Sequence, residues 1–81
     1  MINEKSTKAE VLAAVGRDGL LLRYASDALK ADRDVVLAAV SQNGEALYYA
    51  SDALKADRDF MLEAGQRDPW VLGFYNKEVK Q

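Results

Sequence analysis

The chain has 81 residues, of which 49% are hydrophobic and 30% are charged, a composition typical of one small globular domain. It contains neither cysteine nor histidine, which excludes disulfides, thiolate metal sites and the side chain that most often serves as general base or metal ligand. The net charge of −2 gives no electrostatic reason to expect nucleic acid or an anionic membrane as partner.

The first ten residues, MINEKSTKAE, are polar and lack the apolar stretch of a signal peptide. No apolar run in the chain approaches the roughly 20 residues that a membrane-spanning helix needs. We therefore expect a soluble cytoplasmic protein. Within this segment Thr7 is followed three residues later by Glu10, a capping-box pattern that predicts a first helix from about Lys8 to Arg17.

An eleven-residue stretch, YASDALKADRD, occurs twice without change, at 24–34 and at 49–59. Extended in both directions at a period of 25, it divides the single domain 1–81 into three units, 6–30, 31–55 and 56–80. Repeats of this length are typical of stacked helical architectures, in which one unit cannot bury its apolar face alone.

The second and third units predict helices from Arg33 to Gln42 and from Arg58 to Arg67. Asp32 and Asp57 stand at their N-cap positions, where a carboxylate accepts hydrogen bonds from the first turn. In the second unit apolar residues occupy more than one helix face, which predicts a middle helix covered from both sides.

Each long helix is followed by an Asp-Gly, Asn-Gly or Asp-Pro pair. Asp-Gly and Asn-Gly alone could mark a β-hairpin, but Pro69 in the third copy fixes φ near −65°. The matching Gly19 and Gly44 therefore need no left-handed conformation. We predict that a second, short helix starts at each pair, capped by Asp18, Asn43 and Asp68.

Ser26 and Ser51 are predicted to cap one further helical turn, with Leu29 and Leu54 directed into the core. The predicted fold is all-α, with three tandem repeats of about 25 residues stacked in a small solenoid-like domain. Glu10, which replaces Val35 and Phe60, indicates an open end of the stack.

The third unit departs from the other two. It ends in the more polar YNKEV at 75–79, as a terminal repeat does. Gly65 replaces Val15 and Val40, and we expect it to make room for the bulky Trp70.

The run DRDVVLAAVSQNGEALYYASDALKADRDFML, residues 32–62, resembles the repeats of the family known as domain of unknown function 4116. The shared pattern is A-V-x-x-N/D-G, then L-x-Y/F-A-S, then L-x-x-D-R/K. The resemblance implies an all-helical tandem repeat with no assigned catalytic residue or cofactor. Gly65 and Pro69 depart from this pattern.

The DRD triplets 32–34 and 57–59 could suggest a metal site, since neighbouring carboxylates bind hard cations. Helix capping accounts for these acids, and a calcium loop would need further oxygen ligands, so no metal site is predicted. Ser26 and Ser51 have no histidine to activate them, and no carboxylate pair stands out. We expect no catalytic residue and no cofactor.

Aromatic residues give the candidate interface. Tyr24, Tyr49 and Phe74 recur at one position, which is more typical of a core stripe. Tyr48 and Trp70 do not recur, and their counterparts Arg23 and Glu45 are charged, so both should be at least partly exposed. Trp70 could equally close the end of the core. The candidate interface residues are Tyr48, Trp70 and Phe74.

The sequence thus predicts a non-enzymatic helical-repeat module for protein–protein interaction or self-association. The alternative is a small carboxylate-based enzyme or ligand-binding domain that uses a groove between repeats. Nucleic-acid and membrane binding are not expected.

Overall fold

The computed structural model describes residues 1–73. Its helices are α1 (Lys8–Arg17), the 3₁₀ helix η1 (Gly19–Tyr24), α2 (Asp27–Lys30), α3 (Arg33–Gln42), the 3₁₀ helix η2 (Gly44–Tyr49), α4 (Asp52–Lys55) and α5 (Arg58–Arg67), followed by helical residues 69–73. This part of the chain contains no β-strand, so the all-α prediction is confirmed. The long helices begin and end at the predicted residues.

The three long helices pack in the order of the chain, α1 against α3 and α3 against α5, while η1 packs against η2. The middle helix α3 is covered from both sides, as predicted. Its buried residues are Val35, Val36, Leu37, Ala39 and Val40. Glu10 of α1, which corresponds to Val35, is exposed, whereas the corresponding Phe60 of α5 is fully buried. This difference identifies α1 as one end of the row.

The predicted caps start the long helices. Thr7 and Glu10 form both halves of the capping box, with the Thr7 N–H donating to Glu10 Oε1 at 2.8 Å. Asp32 Oδ1 accepts from the N–H groups of Asp34 and Val35 at 2.9 and 3.2 Å. The DRD carboxylate at position 32 thus satisfies backbone donors that would otherwise lack a partner.

The connectors also follow the prediction. Ser26 Oγ accepts from the Leu29 N–H, and Ser51 Oγ from the Leu54 N–H, each at 3.2 Å. Leu54 is buried, and Leu29 is half-buried against the core. Because both hydroxyls cap a helical turn, the repeated SDALK stretch has a structural explanation.

Glycine is needed after the first two long helices because the following repeat approaches closely. No residue of the described chain has a positive φ. A Cβ at Gly19 would overlap the carbonyl oxygen of Ala39, and one at Gly44 would overlap the carboxylate of Asp68. Pro69, which occupies the equivalent position in the third unit, is exposed.

The expected reason for Gly65 is wrong. A Cβ at this position would overlap the side chain of Leu72, so Gly65 makes room for Leu72 and not for Trp70. The indole of Trp70 instead lies on the surface, where it is 42% exposed.

Ion pairs link successive units, and in both cases one partner is the N-cap of the next long helix. Lys8 Nζ lies 3.1 Å from Asp32, the N-cap of the next long helix, and 3.3 Å from Asp34. One repeat later, Arg33 lies 3.8 Å from the N-cap Asp57 and 2.7 Å from Glu63. The first basic residue of each of these helices therefore points to the start of the helix that follows.

The pair of Lys8 with Asp32 shifts both pKa values. Partial burial alone would raise the pKa of Asp32, but the hydrogen bonds from Lys8 and from the N–H groups of Val35 and Asp34 outweigh it, so this pKa is lowered. Asp32 first and Asp34 second raise the pKa of Lys8.

We expect Asp32→Asn, which keeps a capping oxygen but removes the charge, to lower the free energy of unfolding by about 0.5 kcal/mol at neutral pH. Because folding lowers the pKa of Asp32, its contribution is complete above about pH 4 and is lost as the pH falls through the folded value. Urea unfolding should therefore show a difference from the parent protein that shrinks in acid.

The control is Asp52→Asn, since Asp52 is fully exposed and, among residues 1–73, forms its one ion pair with Lys55 of its own helix, at 3.7 Å. It should change the free energy of unfolding little at any pH. A difference for Asp32→Asn that stays constant from neutral pH into acid would show that Lys8 and Asp32 are not coupled as described.

Candidate functional site

The candidate site is a pair of exposed aromatic rings at the junction of the second and third units. The ring centroids of Tyr48 and Trp70 lie 5.7 Å apart at an interplanar angle of 68°, an edge-to-face contact. Tyr48 is 56% exposed and Trp70 is 42% exposed. The structure thus brings together two of the three predicted interface residues, and both are partly exposed as predicted.

Short capped helices hold the two rings in place. Asn43 Oδ1 accepts from the Glu45 N–H at 2.9 Å at the start of η2, and Asp68 Oδ1 accepts from the Trp70 N–H at 3.0 Å. The fully buried Leu47 and Val71 adjoin the two aromatic residues in sequence and anchor the backbone in the core. The rings are therefore carried by a fixed backbone while much of their surface faces water.

The first unit differs from the prediction at its tyrosine. Tyr24 was expected in the core, but it is 38% exposed, whereas its counterpart Tyr49 is half-buried and packs against the core. The guanidinium of Arg23 lies 4.8 Å from the centre of the Tyr24 ring. The hydroxyl groups of Tyr24 first and Tyr49 second raise the pKa of Arg23. This cation–π contact was not predicted from the sequence.

Phe74, the third predicted interface residue, lies outside the described residues. Its place in the candidate interface stays a prediction.

Two open recesses lie on the first unit. One, of about 300 Å³, is lined by Met1, Ile2, Ser6, Glu10, Ala14, Arg17 and Leu21. The other, of about 510 Å³, is lined by Asn3, Glu4, Arg23, Tyr24, Ala25, Ser26, Asp27 and Lys30. Both are open to solvent, and neither is lined by Tyr48 or Trp70. The sequence reasoning missed them because they depend on how the first six residues fold back.

The carboxylates of the described residues are arranged neither as a metal site nor as a general acid. Within residues 1–73, no group of three or more acidic side chains is arranged to hold a metal ion. Asp32, Asp57 and Asp68 accept backbone hydrogen bonds as helix caps, and the pKa of Asp32 is lowered. A general acid at neutral pH needs the opposite shift.

The pattern of the three units agrees with the family comparison. A family model described as a domain of unknown function (DUF4116) matches residues 11–55 and, in a second and overlapping match, residues 32–80. The chain belongs to this family. Each DUF4116 match covers about two of the 25-residue units, and the resemblance inferred from the repeated motifs is thereby confirmed.

No curated protein and no solved structure matches this DUF4116 chain. None of the helices in the part of the chain that the structure describes is long and apolar enough to span a bilayer.

Proposed function

We propose that this DUF4116 chain is a non-enzymatic protein-interaction module that binds another protein through the surface around Tyr48 and Trp70. The supporting observation is that two large aromatic side chains, at positions that do not recur between units, lie in edge-to-face contact while 56% and 42% exposed. Tryptophan and tyrosine are the residues most enriched in the energetic centres of protein interfaces.

The fixed backbone beneath the rings favours the same role. Leu47 and Val71 are fully buried and hold the helical segments that carry Tyr48 and Trp70. A partner would then meet rings with only two side-chain torsions each to order, which keeps the entropic cost of binding low. The exposed part of each ring also leaves apolar area in water that binding would remove.

The alternative of a carboxylate-based enzyme has less support. Asp32, Asp57 and Asp68 serve as caps, and the hydroxyls of Ser26 and Ser51 accept backbone hydrogen bonds. With no histidine in the chain, a serine would lack its usual activating base. We therefore propose binding and not catalysis.

The test is a quantitative pull-down from an extract of the source organism with the tagged full chain and its Tyr48→Ser/Trp70→Ser variant. We expect the proteins enriched by the parent chain to be lost at least about tenfold from the variant, because its central aromatic contacts are gone. Both chains should keep the same helical circular dichroism, since the exposed rings contribute little to the core.

The matched control is Tyr24→Ser, which removes an aromatic ring of similar exposure, 38%, at another place on the surface. It should retain the enriched proteins. Equal enrichment by the parent chain and the Tyr48→Ser/Trp70→Ser variant would contradict the choice of surface.

A further inference from the structure

The junction of α3 with α5 is formed by two stripes of side chains, one on each helix. The forward stripe of α3 consists of Arg33, Leu37 and Ser41, spaced four residues apart on one helix face. Arg33 places its guanidinium 5.4 Å from the ring centre of Phe60, and Ser41 Oγ accepts from Arg67 Nη1 at 3.4 Å. Leu37, between them, is only 7% exposed.

The rear stripe of α5, which receives these groups, contains Phe60, Ala64 and Arg67. Phe60 and Ala64 are fully buried. Three side chains of α3 thus form its junction with α5. Arg33 contacts Phe60, Ser41 contacts Arg67, and the buried Leu37 lies between them on the same helix face.

The forward stripe of α5 consists of Arg58, Leu62 and Gln66, and all three are exposed. Leu62 is 42% exposed, against 7% for its counterpart Leu37. Among residues 1–73, no carboxylate forms an ion pair with Arg58, whereas its counterparts Lys8 and Arg33 each reach two. This face repeats the arginine and the leucine that α3 presents to α5, with Gln66 in the place of Ser41.

The rear stripe of α1 consists of Glu10, Ala14 and Arg17, and all three line the recess of about 300 Å³. Met1 and Ile2 form another side of this recess and place apolar side chains beside Ala14. Its two ends are charged, with Glu10 at the position of Phe60 and Arg17 at the position of Arg67.

The two end faces are complementary when placed in the register of the α3–α5 junction. Arg58 of one copy meets Glu10 of the next, so an opposite charge replaces the ring that Arg33 contacts. Leu62 enters the recess beside Ala14, and the side-chain oxygen of Gln66 meets Arg17. Each of the three contacts has a counterpart inside the fold.

We propose that copies of this chain associate head to tail, with the Arg58–Leu62–Gln66 face of α5 docking into the N-terminal recess of a second copy. This goes beyond the proposed function, which uses the Tyr48 and Trp70 surface and a different protein. A pairing of two α5 faces by two-fold symmetry would place Arg58 opposite Gln66 and gain no ion pair. The head-to-tail contact leaves a free face at each end, so assembly is open-ended.

Pro69 keeps this association weak. Its counterparts Gly19 and Gly44 approach the following unit so closely that a Cβ would overlap Ala39 or Asp68. The ring of Pro69 prevents equally close contact with a second copy. The copies therefore meet mainly through the long helices, and the association is reversible.

Sedimentation equilibrium of the full chain from micromolar to millimolar concentration tests the proposal. The weight-average mass should rise with concentration beyond that of a dimer, and Leu62→Glu should weaken association about tenfold or more. Pro69→Gly should strengthen it. Tyr48→Ser is the control and should leave the mass unchanged, which separates this proposal from the proposed function.

A charge exchange tests the register. Arg58→Glu and Glu10→Lys should each weaken association severalfold, and the two together should restore it, because the ion pair is re-formed with reversed sign. Thermal unfolding followed by circular dichroism checks that Glu10→Lys, which loses the capping box, is still folded. A monomer at every concentration, a mass that stops at the dimer, or a double variant no better than the single ones would each overturn the proposal.

Discussion

Replacing Leu47 with alanine should lower the free energy of unfolding by about 2–5 kcal/mol. Leu47 lies in η2, is fully buried, and belongs to the single core cluster formed by the described helices. A chain of 81 residues has a total stability of only about 4–12 kcal/mol. The variant should therefore lose a large share of its stability and unfold at a lower urea concentration and a lower temperature than the parent, because the cavity left by the side chain cannot be refilled from so small a core.

The matched variant is Leu62→Ala, which removes the same atoms from a site that is 42% exposed. It should cost about 1 kcal/mol or less. Urea unfolding followed by circular dichroism compares the two, and the single tryptophan, Trp70, gives a second probe by fluorescence. Equal losses for Leu47→Ala and Leu62→Ala would contradict the assignment of Leu47 to the core and Leu62 to an end face.

Replacing Gly16 and Gly19 of the first unit with alanine should change the free energy of unfolding in opposite directions. Gly16 lies in α1 with no other group within 4 Å of an added Cβ, so Gly16→Ala should raise stability by about 0.5–1 kcal/mol through helix propensity. At Gly19 the added Cβ would overlap the backbone oxygen of Ala39, and we expect a loss of about 1–3 kcal/mol.

The backbone around an alanine at position 19 cannot move away from α3 without weakening a hydrogen bond. The Gly19 N–H donates to Gln42 Oε1 at 2.6 Å, so a shift of η1 away from α3 would also lengthen this hydrogen bond. Thermal unfolding of both variants measures the difference. A neutral or stabilising Gly19→Ala would mean that the first two units are not packed as closely as described.

The helix boundaries were predictable because several local signals agree. Thr7 with Glu10, and the aspartates at 32 and 57, are strong N-cap signals, and the identical YASDALKADRD copies repeat the same connector chemistry. Pro69 decided between a hairpin turn and a second helix, since a proline there excludes the left-handed conformation in one of three equivalent turns. Because capping and turn preferences act within a few residues of the chain, the helix boundaries in the structure agree with those predicted from the sequence.

The error at Tyr24 arose from treating equivalent positions as equivalent environments. Tyr24 and Tyr49 occupy the same place in identical stretches, but the first unit has no preceding unit beside it in the described chain, and Tyr24 is more exposed. Leu62 differs from Leu37 for the corresponding reason at the other end. The burial of a repeated residue depends on which other units pack against it. The sequence of one unit alone does not specify those neighbours.

The candidate site was partly predictable. Charged counterparts at positions 23 and 45 indicated that Tyr48 and Trp70 face the surface. Their mutual contact at 5.7 Å was not predictable, because it depends on the offset between η2 and the segment 69–73. The 25-residue spacing of Lys8, Arg33 and Arg58 against the acidic caps was a signal in the sequence that could have revealed the ion pairs between units.

The central claim is that recognition of another protein depends on Tyr48 and Trp70, which do not repeat, while the repeated SDALK stretch is structural. Site-specific photo-crosslinking in cells tests it, with benzoylphenylalanine placed at Tyr48 or, in the repeated SDALK stretch, at the exposed Ala53. We predict a discrete crosslinked protein from position 48 and none from position 53. Crosslinks from position 53 with none from position 48 would contradict the account.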